Sequence, residues 1–105
     1  MTVEDVIERW GYFAHRGDLV AAVEAWEETG MEAGEVEEWL SARCFDANAA
    51  EDLDDVGITP SMASTRTKAG SGSYLDTVGY KVAVGDLGLE EACELLGVHV
   101  AGRGR

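Results

Sequence analysis

The sequence predicts an all-α fold, a compact array of about six or seven short helices in one domain spanning residues 1–105. Three observations favour it: apolar residues recur at spacings of three and four, capping residues precede the apolar segments, and a repeat of 13–14 residues runs through the chain. The length suits one domain. The apolar fraction of 46% is too high for a disordered chain.

Helix boundaries are marked by residues with known capping chemistry. Side chains that can accept a hydrogen bond from a first-turn N–H precede most segments: Thr2, Asp18, Asp46 and Thr59, the last followed by Pro60. Glycines that favour a helix stop follow several of them: Gly17, Gly30, Gly57, Gly85 and Gly97. These signals predict helices over residues 3–14, 19–29, 34–43, 47–56 and 60–67.

A Gly/Ser break at residues 69–73 divides the chain into an acidic helical part, residues 1–68, and a charge-neutral part, residues 74–105. Ser73 is expected to cap a sixth helix over residues 74–84. The β-branched residues there leave a strand as the open alternative. A seventh helix is predicted over residues 89–96.

The repeat is carried by three apolar lead residues, Trp26, Trp39 and Leu53, spaced by 13 and then 14 residues. Each unit reads as one short helix and a tight turn. Helices this short are not stable alone, so each must bury its apolar stripe against neighbours. We therefore expect Trp10, Trp26 and Trp39 in the core, with exposure of one of them at a binding surface as the alternative.

The net charge of −13 is distributed unevenly. Residues 1–60 hold 16 acids and 3 bases, whereas residues 61–105 hold 5 of each. Because phosphates would be repelled, direct nucleic-acid binding through the N-terminal part is not expected. Because the whole excess of acids lies in residues 1–60, the asymmetry favours a local cause. Carboxylates three or four residues apart on a helix also lie close together and cost stability.

Candidate metal and catalytic groups do not form a recognisable pattern. Two cysteines and two histidines, Cys44, Cys93, His15 and His99, lack zinc-ligand spacing. The acids at residues 52–57 begin like a calcium loop, but position twelve is Ala63. We therefore expect no metal, no cofactor and no enzymatic activity. Two reduced thiols are the favoured state of the cysteines, with a Cys44–Cys93 bridge left open.

The N-terminus begins with acids where a signal peptide would carry positive charge followed by an apolar stretch. No apolar run reaches the length of a membrane span. A cytoplasmic location is therefore expected.

These features predict a non-enzymatic acidic module that docks on a basic protein, such as a nucleic-acid-binding complex. The candidate contact residues are Glu27, Glu28, Glu37, Glu38, Asp54 and Asp55. In size and charge the chain resembles phage-encoded DNA-mimic inhibitors, including anti-restriction and anti-CRISPR proteins. That resemblance implies an inhibitor that occupies a nucleic-acid-binding groove.

The alternative is a small DNA-associated transcriptional regulator that uses the C-terminal part. Residues 89–98 resemble the first helix and turn of a helix-turn-helix domain, although only seven residues follow, too few for a recognition helix. The basic residues available for this function are Arg66, Lys68, Lys81, Arg103 and Arg105.

Overall fold

The computed structural model describes residues 2–70 and 74–98, and within them the predicted all-α fold is confirmed. Eight helices and a two-stranded sheet occur in this part of the chain, and none of its helices has the length and apolar character needed to cross a bilayer. In chain order the elements are α1 Val3–Trp10, α2 Tyr12–His15, α3 Leu19–Glu28, α4 Ala33–Ser41, α5 Ala47–Asp55, α6 Pro60–Ala63, β1 Arg66–Thr67, β2 Asp76–Thr77, α7 Val78–Ala83 and α8 Leu89–Leu96.

The predicted N-caps are confirmed. Each of the four side chains accepts a hydrogen bond from a backbone N–H in the first turn of its helix. The capping residues and their donors are Thr2 with Asp5, Asp18 with Ala21, Asp46 with Asn48, and Thr59 with Met62. Asp5 also accepts from the Thr2 N–H, which completes a capping box and lowers the pKa of its carboxyl.

The repeat corresponds to three consecutive helices, α3, α4 and α5, whose first residues are 19, 33 and 47. The lead residues Trp26, Trp39 and Leu53 are all buried in the core. Helix α1 packs against α3 and α4, and α3 packs against α5. Burying a large side chain from each repeat in one core compensates for the low intrinsic stability of such short helices.

The first predicted helix is interrupted at Gly11. This glycine has φ +71°, a conformation that costs little only without a Cβ, and it ends α1 and precedes α2. The prediction of one continuous helix over residues 3–14 was wrong for this reason. Trp10, just before the break, is half-buried rather than central.

The largest departure from the predicted helices lies around the Gly/Ser break. Strands β1 and β2 pair antiparallel, with Arg66 opposite Thr77 and Thr67 opposite Asp76. The fifth helix therefore ends at Ala63, and the sixth begins at Val78 with Thr77 as its N-cap. The predicted cap, Ser73, lies outside the described residues. Both alternatives for residues 74–84 thus occur in succession, a short strand and then a short helix.

Helix α7 packs against α5 and α6, so residues on both sides of the Gly/Ser break share the core. The Thr77 hydroxyl donates to the Ala42 carbonyl at 2.7 Å, and the Val78 N–H donates to the Thr65 carbonyl at 2.8 Å. Gly79 permits this close approach. A Cβ there would lie 3.0 Å from the Ala42 carbonyl oxygen.

Candidate functional site

The six candidate contact residues form three carboxylate pairs, Glu27–Glu28, Glu37–Glu38 and Asp54–Asp55, which are referred to below as the carboxylate pairs. Glu27 and Glu28 are the last two residues of α3, and Asp54 and Asp55 are the last two residues of α5. Glu38 lies in the last turn of α4. Five of the six residues are exposed, and Glu37 is half-buried.

The placement of the carboxylate pairs is electrostatically unfavourable for the helices that carry them. The C-terminal end of a helix bears partial negative charge, which favours Lys, Arg or His in the last turn. Helices α3, α4 and α5 have no basic residue in the last turn. The five carboxylates in these last turns are therefore placed where the helix dipole disfavours them.

Among the residues that the structure describes, one of the six carboxylates has a counter-charge. Arg9 on α1 forms an ion pair with Glu37 on α4. A partner that contacts Glu37 would therefore compete with Arg9 for its carboxylate. Across residues 2–70 and 74–98, the other five carboxylates form no ion pair.

Arg43 is engaged away from the carboxylate pairs. Its guanidinium donates to both carboxylate oxygens of Asp76, at 2.9 and 3.4 Å, and its Cζ lies 5.2 and 5.0 Å from the ring centroids of Phe13 and Tyr80. Partial burial opposes ionisation of Asp76, but the hydrogen bonds from Arg43 and from the Thr77 N–H outweigh it, so the pKa of Asp76 is lowered. Arg43 has φ +66°, which turns the chain immediately after α4.

Arg16 joins the same aromatic cluster. Its Cζ lies 3.9 Å from the centroid of the Phe45 ring, a cation–π contact. Phe45 in turn meets Phe13 and Tyr80 edge to face, at centroid distances of 5.6 and 6.0 Å. Two of the three bases in residues 1–60 are thus held on aromatic rings, and the third is Arg9. Sequence analysis did not find this cluster because its members are far apart in the chain.

Lys81 is completely buried, which removes it from the basic set proposed for DNA contact. Its Nζ donates to the Ala69 carbonyl at 2.7 Å and lies 4.6 Å from the centroid of the Tyr74 ring. The signal was present in the sequence: Lys81 follows Val78 by three residues and so shares the apolar face of α7. Arg66 and Lys68 are exposed, whereas Arg103 and Arg105 lie outside the described residues.

The described cysteine and histidine side chains do not form a catalytic arrangement. Cys44 and Cys93 are buried and are not joined by a disulfide, and burial raises the pKa of the Cys44 thiol to about 12. A thiol this hard to ionise is a poor nucleophile. His15 Nδ1 accepts a hydrogen bond from the Gly17 N–H at 2.9 Å, and its ring meets Tyr12 edge to face.

Helix α8 does not offer a surface suited to DNA. Its exposed side chains include Glu90, Glu91 and Glu94, which would face the phosphates if the helix entered a groove. Its buried residues are Ala92 and Cys93, which join the core. The helix-turn-helix resemblance therefore describes a packing helix with an acidic outer face.

A cleft of about 370 Å³ lies beside one of the carboxylate pairs, where α6 packs on α4. It is lined by Glu38 and Ser41 from α4 and by Thr59, Pro60 and Ser61 at the start of α6. One of the predicted contact residues, Glu38, therefore forms part of the wall of this recess.

Comparisons of the chain with protein-family models, curated proteins and solved structures found no match. The function is therefore inferred from the charges and geometry of the carboxylate pairs.

Proposed function

We propose that this protein is a non-enzymatic, acidic interaction module whose carboxylate pairs dock on a basic protein surface. The observation that carries the proposal is the electrostatic mismatch at the ends of α3, α4 and α5. Carboxylates occupy the helix ends that favour cations, and five of the six lack an ion pair within the described chain.

The positions of the bases support the same proposal. Arg16 and Arg43 are held on aromatic rings, and Lys81 is buried under Tyr74. A basic partner would supply the missing cations, and burial at an interface would strengthen each new pair relative to water.

The partner class that fits best is a protein with a nucleic-acid-binding groove. Such a groove displays Lys and Arg at the spacing of phosphates, and an acidic helical surface can occupy it and release the same counterions. The module then acts as an inhibitor that mimics DNA, as the anti-restriction and anti-CRISPR resemblance implies. We further propose that the protein acts in the cytoplasm, together with its target.

The experiment is an affinity capture from a lysate of the organism that encodes the protein. The test variant neutralises four contact carboxylates, by Glu27→Gln, Glu28→Gln, Asp54→Asn and Asp55→Asn. The control variant makes the same change in net charge elsewhere, at the exposed residues Glu4, Glu8, Glu90 and Glu94, each changed to Gln.

We expect the wild type and the control to capture the same partner, and the test variant to lose it. Duplex DNA added to the lysate should release the partner, because both compete for one basic surface. Equal capture by the test and control variants would contradict the proposal, since net charge alone would then explain binding. A mobility shift of duplex DNA by the purified protein would favour the transcriptional-regulator alternative instead.

A further inference from the structure

The cleft beside Glu38 combines one charged side chain with several hydroxyl groups. Glu38 is the only charged residue among its described lining residues, and Ser41, Ser61 and Ser64 contribute hydroxyls. Because the lining contains no base, its electrostatic character is set by a single carboxylate. The cleft therefore suits a cation.

The free hydrogen-bonding groups in the cleft include several acceptors. Within residues 2–70 and 74–98, the Glu38 carboxylate and the hydroxyls of Ser41 and Ser61 have no hydrogen-bond partner. The Ser64 hydroxyl already donates to the Ser61 carbonyl at 2.6 Å. A ligand that brings several donors would meet a carboxylate and at least two further oxygen acceptors in one recess.

The backbone does not decide the preference, because the C-terminal end of α4 at Ser41 and the N-terminal end of α6 at Pro60 meet in the cleft with opposite partial charges. The Glu38 carboxylate therefore sets the charge of the recess. Pro60 lines the opposite side with an apolar ring that can cover the methylene groups of a long side chain.

We propose that this cleft is a subsite for an arginine side chain of the basic partner, an inference that rests on the proposed function and names one contact within it. Arginine fits better than lysine because its five N–H donors have a fixed planar arrangement that can engage a carboxylate and neighbouring hydroxyls together. Glu38 is the anchor of the subsite, and Ser41 and Ser61 are its secondary acceptors.

The test is an NMR titration of the ¹⁵N-labelled full chain with N-acetyl-arginine-N-methylamide. We expect saturable shifts concentrated on the amides of Ser41, Ser61 and Ser64, with a dissociation constant on the order of 10 mM. The citrulline analogue, which has the same shape without the charge, should produce no saturable shift. The lysine analogue should bind more weakly than the arginine probe.

Two variants isolate the cleft from the rest of the acidic surface. Glu38→Gln should weaken arginine binding about tenfold, because it removes a charged hydrogen-bond acceptor. Ser61→Phe should weaken it as well by filling the recess without changing the charge. Glu94→Gln, which makes the same charge change at an exposed residue outside the cleft and outside the carboxylate pairs, should leave binding within twofold of wild type.

The outcomes separate this inference from the proposed function. If arginine shifts the amides near all the carboxylate pairs equally, and Glu38→Gln acts no differently from Glu94→Gln, the subsite is overturned while docking by the acidic surface stands. If the cleft binds arginine as described but neutralising the other pairs leaves partner capture unchanged, the subsite stands and the broader docking surface is overturned.

Discussion

At the scale of single residues, Asp76 is the carboxylate whose charge the fold uses most directly. It is nearly buried, and it holds Arg43 beside the aromatic cluster formed by Phe13 and Tyr80. The lowered pKa means that the folded state favours the ionised form more than the unfolded state does. The pair therefore stabilises the fold wherever Asp76 is ionised.

This linkage predicts how stability depends on pH. The contribution of Asp76 is fully present above its ordinary pKa of 3.8 and is lost as the pH falls through the lowered value. Asp76→Asn should lower the free energy of unfolding at pH 7 by about 1–3 kcal/mol and flatten its decline at acid pH. Urea denaturation from pH 2 to 7, followed by tryptophan fluorescence, measures both effects.

Asp52→Asn is the matched control, because Asp52 is exposed on α5. It should change the stability at pH 7 little and leave the acid-side slope intact. An Asp76→Asn curve parallel to that of wild type at every pH would show that the Arg43 pair contributes nothing through ionisation.

At the scale of elements, the ends of α3 and α5 carry charges that oppose the helix dipole. Glu28→Gln and Asp55→Asn should each raise the free energy of unfolding by about 0.3–1 kcal/mol at low salt. Glu4→Gln should lower it, because Glu4 lies in the first turn of α1, where negative charge is favourable. Urea denaturation at low ionic strength measures all three changes.

The same three variants should converge on wild-type stability in about 1 M salt, where the Debye length is about 3 Å. If Glu28→Gln and Asp55→Asn instead destabilise the fold at low salt, these carboxylates make favourable contacts within the molecule. An external cation would then not be needed to explain why these carboxylates lie at the helix ends.

Two helical glycines should respond in opposite ways to alanine. Gly34 on α4 has open space around it, so Gly34→Ala should stabilise the fold by about 1 kcal/mol through helix propensity. At Gly79 a Cβ would lie 3.0 Å from the Ala42 carbonyl oxygen and 3.1 Å from the Cys44 Cβ. The Ala42 carbonyl cannot move away easily, because it accepts the Thr77 hydroxyl at 2.7 Å.

Gly79→Ala should therefore destabilise the fold by about 1–3 kcal/mol, as overpacking does. Thermal melts of both variants by circular dichroism provide the comparison. Stabilisation of both variants to the same extent would mean that α7 does not approach Ala42 as closely as the structure places it.

Local signals predicted most of the helices, and contacts distant in sequence account for what they missed. Thr2, Asp18, Asp46 and Thr59 act on N–H groups two or three residues away, so their roles can be deduced from the sequence alone. The repeat was visible because Trp26, Trp39 and Leu53 are each a large buried side chain in the second half of successive helices.

The strand pair and the engaged bases could not be predicted in this way. The β1–β2 pairing brings Thr67 opposite Asp76 across the Gly/Ser break, and Arg43 reaches Asp76 across 33 positions. No local propensity encodes either contact. The density of acids in the sequence identified Glu38 as a candidate contact residue. It gave no indication of the cleft that Glu38 lines.

At the scale of the whole molecule, the acids of residues 1–60 far outnumber the bases, and the bases are engaged within the fold. Arg9, Arg16 and Arg43 oppose 16 acids in residues 1–60, and each is engaged with a carboxylate or an aromatic ring. The aromatic cluster thus stabilises the fold while holding cations away from the carboxylate pairs. Such a molecule depends on its surroundings for counter-charge, from salt or from a partner.

The most direct test of that dependence is the affinity of the captured partner for the purified protein across a series of NaCl concentrations. The dissociation constant should rise steeply with the NaCl concentration. The slope of its logarithm against the logarithm of the NaCl concentration should be smaller in the variant that neutralises the acids at the ends of α3 and α5 (Glu27, Glu28, Asp54 and Asp55). The matched charge control should keep the wild-type slope. A dissociation constant that is independent of salt, or a slope that both variants share with wild type, would contradict docking through the carboxylate pairs.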